Sequence, residues 1–185
     1  MKSPLSLRAQ ALAVLLEPDP NHKARLARAS DAAAPTGASA QLPVPAGIPG
    51  RPAVPRLVEH RGLKKPSITT VAGRAALLHS LAHIELNAID LAADAVWRFA
   101  DMPAPYYSDW LRVMQEEALH FELLRDHLLL LGYAYGDFDA HNALWEMAER
   151  TQQDVLARMA LVPRTMEARG LDASPGVRHK LASVG

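Results

Sequence analysis

The chain has 185 residues, the size of one ordinary domain, with 49% hydrophobic and 22% charged residues, so a packed core is attainable and wholesale disorder is excluded. Cysteine is absent, which removes disulfide stapling, zinc fingers, iron–sulfur clusters and thiol catalysis, and fits a reducing, cytoplasmic setting. The net charge is zero, which disfavours a globally basic nucleic-acid binder.

Two parts differ in texture. Residues 1–66 hold ten Lys/Arg against four Asp/Glu, and residues 67–185 ten against sixteen, so a +6 arm precedes a −6 body. The simplest expectation is that the arm lies on the body. A tail that touches tRNA or another polyanion is the weaker alternative. The start, MKSPLSLRAQALAVLLEPDP, carries Arg8 inside a short apolar run and reads as an amphipathic helix rather than a signal peptide. Short helices are expected over residues 5–16 and 21–34. Ten of the fourteen prolines fall before residue 67, and QLPVPAGIPGRPAVP should be extended and without regular structure.

From Ser67 the pattern becomes helical and no strand-like alternation is convincing. A first long helix is expected over residues 70–100, capped by Thr69 or Thr70, with Leu78, Leu81, Ala88, Ile89, Ala92 and Val96 on one face. MPAP should end it. A second is expected over 106–131, with Trp110, Val113, Met114, Phe121, Leu124 and Leu128 as its stripe and Gly132 at its C-terminus. After the loop YAYGDFDA, a third is expected over 141–169, kinked a turn before Pro163. Helices of this length span about 40–45 Å at 1.5 Å per residue and, joined by short loops, favour antiparallel neighbours in a bundle. No run of 18 apolar residues occurs, so no transmembrane helix is expected.

The informative residues interrupt the apolar faces. Glu85 sits between Leu81 and Ile89, and Glu117 between Met114 and Phe121, so both should point inward. His120 follows Glu117 by three residues, on the same side of the helix. A lone buried carboxylate is costly unless paired, protonated or bound to metal. Two such carboxylates on facing helices, one within a Glu-x-x-His, match the way bundle interiors hold iron or manganese. On the third helix Glu167 is preferred over Glu146, Glu149 and Asp154, because Leu156, Met159 and Pro163 lead into it. Glu-x-x-His alone is a weak signal; its pairing with Glu85 raises it.

His79 and His83, four apart, lie off the Glu85 direction and read as packing or supporting residues rather than a second metal clip. Trp97, Trp110 and Trp145 read as core or loop anchors, and Glu116, Glu122 and Asp126 as a solvated face. Walker-type loops, Gly-x-Gly-x-x-Gly, Gly-x-Ser-x-Gly and His-Glu-x-x-His are all absent.

The runs RAALLHSLAHIELNAIDLAADAVWRF, DWLRVMQEEALHFELLRDHL, YGDFDAHNALWEMAERT and VLARMALVPRTMEARGLDASPG, with PGRPAVPRLV before them, resemble a bacterial family of unknown function in the ferritin-like superfamily. The likeness covers about residues 50–176. It implies an all-α, ferritin-like antiparallel bundle with one Glu on the first helix, Glu-x-x-His on the second, one Glu on the third and Glu-x-x-His on the fourth. The matching positions are Glu85, Glu117 with His120, and Glu167; in an intact relative Glu85 would be a terminal ligand, Glu117 would bridge, and Glu167 would ligate or bridge.

Eighteen residues follow Glu167, so three long helices are expected and the fourth is absent or truncated, leaving at most four of six ligands. The resemblance implies iron as cofactor, two ions in intact relatives, with manganese as a substitute; the truncated chain itself can also be read as holding none. Two functions follow. One is a non-haem diiron-type protein, an O2-dependent oxidase or hydroxylase impaired in this chain. The other is a metal-free helical scaffold that self-associates or takes up a partner helix where the fourth is missing.

Overall fold

A computed structural model describes residues 5–59, 63, 66–163, 175–176, 178–179 and 182. The structure builds α1 (Leu7–Leu16), α2 (Pro20–Arg28), α3 (Val71–Arg98), α4 (Ala104–Leu130), α5 (Ala143–Arg150) and α6 (Val155–Leu161). Among the described residues there is no strand, only one isolated parallel bridge between Leu57 and Ala140. The molecule is all-α. None of its described helices is long and apolar enough to cross a membrane.

Local chemistry sets the helix ends. Ser6 caps α1 by accepting from the Ala9 amide, and Asp19 caps α2 by accepting from the His22 amide, with Pro20 at the first helical position. Thr70 caps α3, its hydroxyl accepting from the Gly73 amide at 3.0 Å. The second short helix is shorter than its expected span of 21–34. Asp31 turns the chain after Arg28 by accepting from the Ala33 amide at 2.9 Å, an arrangement that competes with helix.

The third long helix expected over 141–169 is not one helix. It is interrupted at residues 151–154, well before the turn preceding Pro163. The Thr151 hydroxyl bonds back to the Met147 carbonyl at 2.8 Å, and the buried Arg158 donates to the Ala148 carbonyl at 2.7 Å and to Thr151 Oγ1 at 2.8 Å. These bonds supply donors to the carbonyl groups at the end of α5. Asp154, with extended backbone, then starts α6 by accepting from the Leu156 and Ala157 amides.

The chain groups into two compact units, each drawn from separate stretches of sequence: Met1–Ala53 with Ala82–Leu123, and Val54–Leu81 with Leu124–Gly185. In the first unit α3 and α4 run antiparallel: Tyr106 near the start of α4 donates to the Ala95 carbonyl near the end of α3. Ile89, Ala92, Val96, Leu111, Met114, Ala118 and Phe121 are buried there. The basic N-terminal segment lies on α3. Arg8, itself buried, donates from Nε and Nη2 to the Trp97 carbonyl (3.0 and 2.8 Å) and from Nη1 to those of Gly37, Ala38 and Ala40. In this way one guanidinium ties the end of α3 to the linker.

Lys23 and Asp90, both buried, form a close ion pair, and Lys23 Nζ also donates to the Gly50 carbonyl at 2.9 Å. Burial pushes the Asp90 carboxyl above the ordinary carboxylate range, while Lys23 and Arg51 pull it back. The Gly50 amide donates to the Leu15 carbonyl at 2.8 Å. The backbones come so close that a Cβ on Gly50 would stand 2.1 Å from the Leu16 carbonyl oxygen.

In the second unit Ala75, Leu78 and Leu128 form an apolar cluster against which Leu124, Leu131, Tyr133 and Phe138 pack. The Val58 amide donates to the Ala140 carbonyl (2.8 Å) and the Ala140 amide to that of Arg56 (3.0 Å). Arg56 adds a two-pronged pair to Asp139 at 2.7 and 3.1 Å.

Two stability measurements follow. Gly50→Ala must force apart two backbones and is expected to lower stability by about 2–3 kcal/mol, roughly 4–10 °C in Tm for a chain of this size, read by far-ultraviolet circular dichroism. Lys23→Met alone strands a buried carboxylate and should cost about 3–5 kcal/mol in urea unfolding. Lys23→Met with Asp90→Leu should recover most of that loss, because the uncompensated charge is gone.

Candidate metal centre

On α3, Glu85, Ile89, Ala92 and Val96 recur at intervals of four, three and four and therefore share one side of the helix. The last three are fully buried. On α4, Glu117 lies one turn beyond buried Met114 and one turn before buried Phe121. The packing that buries these apolar neighbours carries both carboxylates to the same place.

There, Glu85, Glu117 and His120 each offer a ligand atom, and the three atoms lie within 4.8 Å of one another. His120 Nδ1 is 3.2 Å from Glu117 Oε2 and 3.7 Å from Glu85 Oε2. The side chains of Glu85 and Glu117 are 23% and 15% exposed, and that of His120 is 52% exposed. The triad thus has a dry side, formed by core residues, and a wet side at the imidazole. The expectation of carboxylates facing fully inward is softened: they stand at the rim of the core. Glu167 lies outside the described residues.

The donor set fits a divalent transition metal. Two carboxylate oxygens offset the charge of a dication, and an imidazole nitrogen suits iron or manganese better than calcium, which favours oxygen alone. Donors bound to one ion at about 2.1 Å each stand at most about 4.2 Å apart. Atoms within 4.8 Å therefore need close by only about half an ångström to share an ion. No other cluster of three such side chains occurs among the described residues.

The rival positions are committed elsewhere. His79 Nε2 accepts from the Gly136 amide at 3.0 Å, and His83 Nε2 stands 3.1 Å from the Asn87 amide nitrogen, so the two histidines form no clip. Glu149 accepts from the Trp145 indole at 3.0 Å, Asp154 caps α6, and Glu122 faces Arg28 at 3.9 Å. Trp97 and Trp145 are buried and anchor their helices.

Asn87, Asp90 and Asp94, which sequence reasoning passed over, lie with His83 on the opposite side of α3. His83, Asn87, Asp90 and Asp94 also recur at four, three and four, and all are buried. Asn87 Oδ1 takes a long hydrogen bond of 3.4 Å from Arg51, Asp90 pairs with Lys23, and Asp94 pairs with Arg98 at 2.6 Å. One signal was available: two aspartates and an asparagine on a helix preceded by a segment with a surplus of six positive charges.

Comparison with known proteins places the chain as follows. The family model described as "Protein of unknown function (DUF455)" matches residues 16–185. A protein of Haemophilus influenzae (strain KW20), described as "Uncharacterized protein", is 51% identical over 138 residues, covering 71% of this chain and 48% of its own length. The chain therefore spans about half the length of that curated relative. No solved structure matches.

Proposed function

We propose that this chain, which belongs to the DUF455 family of proteins of unknown function, is a ferritin-like non-haem metal protein in which Glu85, Glu117 and His120 hold iron or manganese for an O2-dependent oxidase or hydroxylase reaction. The observation that carries this reading is the convergence of two carboxylates and an imidazole from two antiparallel helices at one point on the core rim. A bound iron would supply the redox chemistry that O2 reduction requires.

The chain's own residues supply the rest. Glu85 and Glu117 would neutralise a dication. His120 would ligate through Nδ1 with that atom free of a proton, and the half-exposed ring gives water access. Met114, Ala118 and Phe121 keep the inner side dry, which strengthens every charge interaction there. The three described ligands serve one ion; a second would draw on further donors, and Glu167 is the one the sequence offers.

A second reading, a metal-free helical interaction protein, draws on a different observation. Leu119, Leu123, Leu129 and Leu130 of α4 are exposed, an unusual density of bare leucine on one helix.

Metal analysis separates the two. The purified full chain is expected to retain about one iron or manganese per chain, and Glu117→Ala to weaken Mn(II) binding more than about 100-fold, beyond what losing a supporting group costs. The ferrous-loaded wild-type chain should consume O2, and the variant should not. A chain that takes up no stoichiometric metal, with Mn(II) titrations unchanged by Glu117→Ala, selects the interaction protein.

A further inference from the structure

His79 plays a part that a second ring proton abolishes. Its ring is buried on α3, stacked on Tyr135 at 5.1 Å between centroids and 16° between planes, with the edge of Phe138 at 5.5 Å. Its Nε2 accepts the Gly136 amide hydrogen at 3.0 Å, so that nitrogen carries no proton and the ring is neutral. Gly136 sits at φ +111°, a backbone conformation closed to most other residues. The loop of residues 133–140 is thus fastened to α3 through one acceptor atom. Two of its rings, Tyr133 and Phe138, pack on the Ala75, Leu78 and Leu128 cluster.

We propose that residues 133–140 form a proton-operated clasp: neutral His79 holds the loop closed over the apolar cluster of its unit, and protonation of His79 releases it. An imidazolium would turn an N–H toward the Gly136 N–H, donor against donor, inside an aromatic sandwich that does not solvate charge. The charged group acting on His79 is Asp137 of the same loop, which favours the protonated ring. Asp137 is itself held by the Ala134 amide at 2.7 Å, and Asp139 is engaged by Arg56. The α3 and α4 residues of the cluster, Ala75, Leu78, Leu124 and Leu128, carry no charge.

Burial therefore prevails and lowers His79 from 6.5 to about 4. A histidine lowered in the closed state binds its proton more readily in the open one. The stability held in the clasp is full above about pH 6.5 and is lost as pH falls through that value toward about 4. Between about pH 7.5 and about pH 5 the open fraction should rise about 30-fold. Opening would bare Tyr133, Phe138 and the leucines beneath them.

Amide hydrogen exchange on the full chain tests this. The protection factor of the Gly136 amide should fall about 30-fold between those two pH values. The Leu7 amide, bonded to the Pro35 carbonyl in the first unit, should hold its protection. In His79→Gln, whose side-chain oxygen accepts without titrating in this range, the Gly136 value should be flat. An unchanged Gly136 value in the wild-type chain, an equal fall in His79→Gln, or a matching loss at Leu7 overturns the proposal. If His79→Gln does not fold, the imidazole resonances of the wild-type chain decide: a midpoint near 4 with Nε2 unprotonated sustains the clasp, and one near 6.5 ends it.

Discussion

The first unit depends on α3 being buried right round its circumference over residues 89–97 while carrying two aspartates there. A helix in that position cannot send its charges to water. Each must be met by a cation or hydrogen-bond donor held close to it. Lys23, from the short helix α2, meets Asp90, and Arg98, one turn along α3 itself, meets Asp94. The stretch before Ala53 is therefore a structural wall of α3. Without it, Asp90 would lose the Lys23 ammonium and Asn87 its hydrogen bond from Arg51.

Burial on that side is what leaves the opposite side to the candidate metal centre. Successive residues on a helix turn by about 100°, so Glu85 points about 200° away from His83. One side of α3 is polar and closed by the N-terminal segment; the other is apolar and closed by α4. A carboxylate in the polar stripe finds a cation already in place. Glu85, on the apolar side, stands beside another carboxylate and an imidazole. The same side-chain type thus meets a cation on one side of the helix and a carboxylate with an imidazole on the other.

The long helices and the converging triad could be read from periodicity because α3 and α4 bury their stripes against each other at the spacing that pattern assumes. Glu85 and Glu117 stood out as charges inside apolar rows. The stripe of His83, Asn87, Asp90 and Asp94 was hidden by the same logic inverted, since a polar row at helical spacing looks like a face turned to water. Only knowledge that a basic segment covers it changes that reading. The break at residues 151–154 was masked for another reason. Thr151, Gln152, Gln153 and Asp154 are tolerable helix residues, and the donor that meets the Ala148 carbonyl at the break is Arg158, ten residues on. That contact follows from tertiary geometry and leaves no periodic trace.

The histidines show how little a residue type decides by itself. His79 and His83, spaced like a metal clip, spend their ring nitrogens on an amide hydrogen and an asparagine. His120 is more exposed than either, yet its Nδ1 faces two carboxylates. Burial alone favours the first pair as functional. The chemistry favours the third, because a metal ligand needs neighbours of opposite charge to the ion, and His120, unlike the other two, is placed between two carboxylates. The fold therefore sorts its histidines by what surrounds them, and the case for a metal rests on the carboxylates that surround His120.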